Sequence, residues 1–417
     1  MVDLAPMVLI IGGGLAGLTC AKVLHENSVE FQLIEAAESV GGRLKTTVTA
    51  EGFRLDHGFQ VLLDSYPAVR RHLDLAALQG GYFDSGAILM NGTARSIVRH
   101  PLLHPQGIWE SATGKYATWQ DKFLLGKLVA ELVVASPEKL LHQDRLRLST
   151  MEFLAKRGFS RFIIESFFRP FFGGVLLDND LTTSASLFQY YLQKFISGKT
   201  LVPAGGIHEI ALQLASKIPP ANIRLHTTVT QLKNRTVHLQ DGEKHTGSHI
   251  VIATSAPVAA RLLARTPPPP PRQVSVCYFA SDEPIYREKL LVLPAGKNRL
   301  VRHFAQLTNV TPSLAPTGRH LLSATILDRN AQGDAALFQS SQNEINEMFP
   351  NTAHLLRPLQ VIDVPYAVPA QPPRFTLQRT IVSTPPNIWV AGDHTLHGSI
   401  QGAMESGERA AHSILRS

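Results

Sequence analysis

The run Val8-Leu9-Ile10-Ile11-Gly12-Gly13-Gly14-Leu15-Ala16-Gly17 constrains this chain more than any other stretch. The apolar run Val8 to Ile11 is too short for a helix, and the glycines that follow bound it, so it reads as a buried strand. Gly12, Gly14 and Gly17 stand at the glycine positions of a dinucleotide-binding turn. The first permits the tight turn, the second admits a pyrophosphate to the backbone, and the third lets the next helix pack on the strand. Leu18, Ala21 and Leu24 then follow at helical spacing. The turn therefore opens a helix whose free N–H groups and positive dipole end suit a phosphate. A second strand pattern, Phe31-Gln32-Leu33-Ile34, ends at Glu35, where a ribose-binding acid is expected. A carboxylate there accepts from a free ribose hydroxyl and repels a 2′-phosphate, which disfavours NADP.

At 417 residues the chain has room for two or three domains. Its composition, 44% hydrophobic and 18% charged, is that of a globular protein. The net charge is +7, yet Lys and Arg are scattered without a basic run, which argues against a nucleic-acid partner. Cys20 and Cys277 form no disulfide framework and no zinc spacing, so a reducing, cytoplasmic setting is expected, with no metal. The first strand opens at Val8, which predicts no leader segment. The most apolar helix candidate, Phe123 to Ala135, contains Lys127 and Glu131 and is too short to span a bilayer. Core packing is the first reading for the helix over Asp121 to Ala135. Contact with a membrane surface, which would make the protein peripheral to a membrane, is the second.

Glu35 is followed by Gly41-Gly42-Arg43-Leu44, where glycines bring the backbone close to a ligand and Arg43 can neutralise a diphosphate. Next comes Asp56-His57-Gly58-Phe59-Gln60. Near the other end, Trp389-Val390-Ala391-Gly392-Asp393 is a strand running into a Gly-Asp turn. Ser399-Ile400-Gln401-Gly402-Ala403-Met404-Glu405-Ser406-Gly407 then opens a helix with Ser399 as a good N-cap. In order and spacing these segments resemble the FAD-dependent amine oxidase and carotenoid (phytoene) desaturase superfamily. The resemblance covers roughly half of the chain. It implies that FAD is the cofactor, that Gly42 and Arg43 contact the diphosphate, and that Gly58, Phe59 and Gln60 run beside the flavin ring. It further implies that Val229 brackets the adenine, that Asp393 bonds the ribityl chain, and that Ile400, Gln401 and Ala403 face the pyrimidine end. Leu15 and Ala16 join the glycine turn in the cofactor site.

The implied fold is α/β, with a discontinuous Rossmann-like FAD-binding domain (residues 1–65, 200–265 and 375–417). A mixed α+β substrate domain has a helical part at 66–199 and a sheet part at 266–374. Helical patterns cover Asp121 to Ala135, Thr150 to Lys156 and Arg161 to Phe168. Strand patterns cover Gln273 to Ala280 and Leu321 to Leu327. The proline run Pro267 to Pro271 marks the crossover between domains.

The stretch Phe153 to Phe195 holds nine of the nineteen phenylalanines. Most read as core, and Phe171, Phe172 and Tyr191 are the candidates for lining an apolar substrate pocket. The function so implied is an FAD-dependent oxidoreductase that takes a hydride from an apolar small molecule to flavin N5, with oxygen or a quinone as electron acceptor. Amine oxidases of the superfamily usually carry a lysine near N5, and the strand Val274 to Phe279 has none. His57, His397 and Tyr366 are the candidate catalytic residues, with His394 beside the Gly-Asp turn. A flavin-dependent isomerase, a porphyrinogen-type oxidase and a non-catalytic FAD- or NAD-binding protein remain the alternatives.

Overall fold

The computed structural model describes residues 7–99, 114, 116–142, 147–329, 331–373 and 387–417. The principal elements in chain order begin with β1 (Val8–Ile11), α1 (Leu15–Glu26), β2 (Phe31–Ile34), β3 (Gly86–Asn91) and β4 (Ala94–Arg99). Three helices follow: α2 (Trp119–Val134), α3 (Arg169–Leu176) and α4 (Ala185–Ser197). Then come β5 (Ile223–Arg224), β6 (His249–Ile252), β7 (Arg272–Ser281), β8 (Leu291–Pro294), β9 (Val301–Gln306) and β10 (His320–Ile326). The chain closes with α5 (Asp334–Met348), β11 (Arg357–Val368), β12 (Ile388–Val390) and α6 (Ile400–Ile414).

The first sheet is parallel throughout, in the order β5-β2-β1-β6-β12. Its strands are short and apolar because both faces are covered. Val8 and Ile10 face the cluster that holds α1 and α6, while Leu9 and Ile11 face the opposite cluster. Burying each such side chain is worth roughly 1.5–3 kcal/mol. From β1 the chain moves out to β2 on one side and returns to β6 on the other, so the strand order reverses beside β1. Ligands of such sheets bind at the carboxyl ends of the strands at that reversal, and the Gly12–Gly14 turn lies there.

The second sheet runs β11-β7-β10-β9-β8-β3-β4, antiparallel except where β8 pairs with β3. Its residues alternate between faces as the pleat requires. Val274, Val276 and Tyr278 point to one side; Cys277 and Phe279 point to the other, toward Leu337 and Ile345 of α5. The former side closes the cavity described below.

Two expectations need correction. Residues 66–199 are not only helical: β3 and β4 form a hairpin that extends the second sheet. Gly92, at φ +56°, and Thr93 make its two-residue turn between the paired Asn91 and Ala94, and glycine at the first turn position is a hairpin signal in its own right. The helix expected over Asp121 to Ala135 forms as α2, with a capping box between Thr118 and Asp121. Core packing accounts for only one side of it, through Leu128 and Leu132. Trp119 and Val134 are 75% and 84% exposed, and Phe123 and Val133 are exposed beside them. The Arg161 to Phe168 segment forms a short helix that widens into a π turn at Ile164–Phe168.

Helices α1 and α6 join the two ends of the chain. A Cβ on Gly407 would stand 2.0 Å from the carbonyl oxygen of Ala16, so the helices meet backbone to backbone. Gly407→Ala is expected to cost about 3 kcal/mol, the upper part of the range for overpacking, because neither backbone can retreat. Urea unfolding checks this; a loss below about 1 kcal/mol would mean that the contact is loose.

Candidate active site

The site starts where β1 ends. Gly12 turns at φ +108°, and a Cβ there would lie 2.7 Å from the carbonyl oxygen of Ala253. A Cβ on Gly17 would lie 1.9 Å from the carbonyl oxygen of Gly12, which is why α1 can sit on the turn. Gly14, by contrast, has open space on its Cβ side. Glu35 crosses beneath the turn: its Oε2 accepts from the Gly13 N–H at 2.5 Å and its Oε1 from the Ala37 N–H at 2.8 Å. The Thr227 N–H donates to the Glu35 carbonyl at 2.9 Å, which brings Thr228 and Val229 to the same wall.

In the middle of the site Arg43 forks onto Asp393, at 2.8 and 2.6 Å. Its Nη1 also donates to the Ala367 carbonyl at 2.9 Å, and the guanidinium lies 5.2 Å from the centre of the Tyr366 ring. The Asp393 side chain is 4% exposed and that of Arg43 32%. Gln60 Nε2 donates to the carbonyls of Arg43 (3.0 Å) and His57 (2.7 Å), fixing those two segments together. Ser399 caps α6 by accepting from the Gly402 N–H at 3.0 Å. The first amides of α6, those of Ile400 and Gln401, are left without intrahelical partners, and Ile400 and Ala403 line the site.

From there the cleft continues into an aromatic-walled end, and the whole cavity, from the glycine turn onward, has a volume of about 1310 Å³. Its far end is built from Phe59, Phe167, Phe171, Leu177, Tyr191 and His303. Phe167 and Phe171 are stacked at 5.9 Å, and Phe195 meets Phe171 edge-on at 5.0 Å. Along one side run α2 residues, among them Leu125, Val129 and Val133. Val274 of β7 lines the cavity from the sheet floor.

Most of the residues singled out from sequence meet at this one cavity. Gly12, Gly14, Leu15, Ala16, Glu35, Gly42, Arg43, Gly58, Phe59, Gln60, Val229, Gly392, Asp393, Ile400 and Ala403 all line it, as do His57, Tyr366, Phe171 and Tyr191. Five stand apart from the lining. One is His394, half-buried with Nδ1 3.9 Å from Asp393 Oδ1. Gly17 serves the packing of α1. The Gln401 side chain is turned into the protein, accepting from the Ala68 N–H at 2.8 Å and donating to Glu405, so only its backbone N–H is available. Phe172 is fully buried against Phe188, ring centres 4.6 Å apart, which makes it core rather than pocket. His397 lies behind the wall, 4.9 Å from the Tyr190 ring, with Nδ1 2.9 Å from the Ser399 hydroxyl. Burial lowers its pKa to about 4. It therefore touches the helix cap and not the cavity, which removes it from direct contact with a reacting group. His57 lines the cavity, 2.9 Å from Thr47 Oγ1, with a pKa lowered by burial and by Lys45. Burial raises the pKa of the Tyr366 hydroxyl. Sequence reasoning missed His303, a lone histidine within a strand, and the α2 wall.

The residues present fit a flavin dinucleotide. The open side of Gly14, with Gly42 facing it (a Cβ there would be 3.3 Å from Gly14 Cα), leaves a backbone-lined passage for a diphosphate. Glu35 supplies acceptors for a ribose, Arg43 a cation, and the α6 start free N–H groups.

The chain matches the family of flavin containing amine oxidoreductases over residues 15–415 and belongs to it. The enzymes of this family are FAD-dependent oxidoreductases. An L-amino-acid oxidase of Demansia vestigiata is 28% identical over 159 residues, covering 36% of this chain and 31% of that protein. A carotenoid phi-ring synthase of Chlorobaculum tepidum is 39% identical over 61 residues, covering 14% and 9%. The chain thus spans less than a third of the length of these two relatives. The fold is that of a putrescine oxidase whose structure superposes with a TM-score of 0.73 over 99% of both chains, at 17% identity.

Replacing Arg43 by Met leaves the Asp393 carboxylate buried and unpaired. The expected cost is about 2–3 kcal/mol, below the range for a fully buried pair because Arg43 is part-exposed. Adding Asp393→Asn should restore most of it. Denaturant melts of the single and double variants check this; equal losses in both would show that the pair is not coupled.

Proposed function

We propose that this flavoenzyme oxidises an apolar organic substrate of polyene or isoprenoid type, taking a hydride equivalent from a C–H bond. The single observation that carries this reading is the far end of the cavity, whose aromatic and aliphatic wall is continuous with the cofactor cleft. When bound, FAD supplies the two-electron acceptor chemistry.

The chain's own residues hold and polarise. The amides that open α6 direct a positive dipole end at whatever lies beside Ile400, which favours negative charge there without reorganisation. Arg43 and Asp393 carry balancing charges midway along the cleft. Phe167, Phe171 and Phe195 exclude water from the substrate end. His57 is held in its neutral form by burial and by Lys45, so it can accept a proton on the cofactor side. Val274 occupies the floor of the cavity, on the strand where amine oxidases of the resembling superfamily carry a lysine, which supports an apolar substrate over a small charged amine.

The exposed apolar residues of α2 are Phe123, outside the cavity lining, and Trp119, Ala130, Val133 and Val134, which also line the cavity; they support a peripheral membrane contact. An apolar substrate partitions into a bilayer, and the same helix forms a wall of the cavity. Among the described residues no helix is long and apolar enough to cross a membrane.

The test is anaerobic mixing of the yellow holoenzyme with a polyene, a small primary amine and a porphyrinogen, followed by readmission of oxygen or addition of a quinone. Bleaching of the flavin by the polyene alone, with colour restored by one of the acceptors, is the expected result. Bleaching only by the amine or only by the porphyrinogen would contradict the reading. So would conversion of the polyene to an isomer with no bleaching.

A further inference from the structure

The sheet that floors the substrate end is mostly apolar; besides Arg99 and Tyr366 near its two edges, it brings two polar side chains to the cavity from its middle. Ala87, Val98, Val274 and Leu291 line the cavity from this sheet, and His303 and Thr325 line it beside them. β9 and β10 are antiparallel neighbours, and in their register His303 stands across from Thr325. His303 is 3% exposed, and neither of its ring nitrogens has a hydrogen-bond partner. The hydroxyl of Thr325, equally buried, has none either. Burial, reinforced by the neighbouring Arg302, lowers the pKa of His303 to about 3. The imidazole is therefore neutral at ordinary pH and offers one donor and one acceptor.

Unmet polar groups at this depth cost stability that an apolar side chain would not. The surroundings are nevertheless shaped to keep the ring. A Cβ on Gly174 would come within 2.2 Å of Nδ1, so the ring fits only because position 174 has no side chain. The ring of Phe59 meets it edge-on, centres 4.7 Å apart. With the Nδ1–Cε1 edge laid on Gly174, a half-turn about Cβ–Cγ carries Nδ1 to the opposite edge without changing the outline of the ring.

We infer that His303 and Thr325 form a hydrogen-bonding subsite for one uncharged oxygen, a hydroxyl or a carbonyl, on an otherwise apolar substrate. The inference rests on the apolar-substrate reading above and narrows it. A pure hydrocarbon leaves both groups unmet, and a neutral imidazole gives no counter-charge to an ammonium or a carboxylate. A hydroxyl can donate to the imidazole nitrogen and accept from the threonine; a carbonyl can accept from either.

The test uses the flavin-loaded enzyme under anaerobic conditions, titrated with 2-decanone, 1-decanol and 1-decene while perturbation of the flavin spectrum is followed. The wild type is expected to bind the ketone and the alcohol about tenfold more tightly than the alkene. His303→Leu and Thr325→Val should each lower that preference about fivefold while leaving decene affinity within about twofold. His303→Gln should keep part of the preference. A thermal melt of each variant confirms that it is folded, and His303→Leu should melt no lower than the wild type, since it removes unmet polar groups. Equal affinity for the ketone and the alkene in the wild type would overturn the subsite while leaving the apolar cavity standing, as would equal losses for all three ligands in both variants. Failure of every probe to perturb the wild-type flavin would overturn the apolar-substrate reading itself.

Discussion

The ion pair between Arg43 and Asp393 is the constraint around which the structure is arranged. It bonds a loop of the first domain segment to a turn near the other end of the chain, at the midpoint of the cleft. A carboxylate as buried as Asp393 is not tolerated alone, so wherever the turn at Gly392 goes, Arg43 must follow. Gln60 then pins the Arg43 backbone to that of His57, and the Ala367 carbonyl draws the end of the second sheet to the same guanidinium. Segments distant in sequence are thereby brought to one point, and the two sheets are closed over a single cleft.

That cleft has a polarity along its length. At the glycine turn it presents backbone N–H groups, the Glu35 carboxylate and the start of α1, which suit a diphosphate and a ribose. At its centre the charges of Arg43 and Asp393 offset each other beside the start of α6. At its far end phenylalanine, leucine and valine dominate the walls, with His303 and Thr325 among the polar residues on the sheet floor. The two ends therefore differ in solvent character as well as in shape. A chain of this family can vary the far end without disturbing the near one, because the elements that build them come from different stretches of sequence.

The parts of this arrangement that were legible in sequence are those in which a short run of residues fixes its own geometry. The turn at Gly12 to Gly17, the acid at Glu35, the Gly42-Arg43 pair and the capped helix after Ser399 each have a local physical reason that survives in any context. The substrate half is different. Phe171 and Phe172 are adjacent and alike, yet one lines the cavity and the other is core, because the direction of α3 decides and nothing local does. His397 and His303 look equally plausible as isolated histidines; only the packing of Tyr190 against the first, and of Gly174 against the second, separates their positions. The parallel pairing of β3 with β8 joins residues about two hundred positions apart, so no local pattern announces it. The hairpin of β3 and β4 was within reach of sequence reasoning, since Gly92 follows the apolar run Ala87 to Met90, but it lay inside a stretch whose other patterns are helical.

We propose that the opening glycine turn and the closing Gly-Asp turn make one cradle for a whole flavin dinucleotide, with an apolar chamber at its ring end. A crystal structure of the protein purified with its flavin tests this most directly. The expected result is an adenosine beside Glu35 and Val229, a diphosphate against Gly14 and Gly42, and the ring between the start of α6 and the segment at Phe59. A flavin bound elsewhere, or a nucleotide that stops at the diphosphate with nothing beside Asp393 and Ile400, would contradict it.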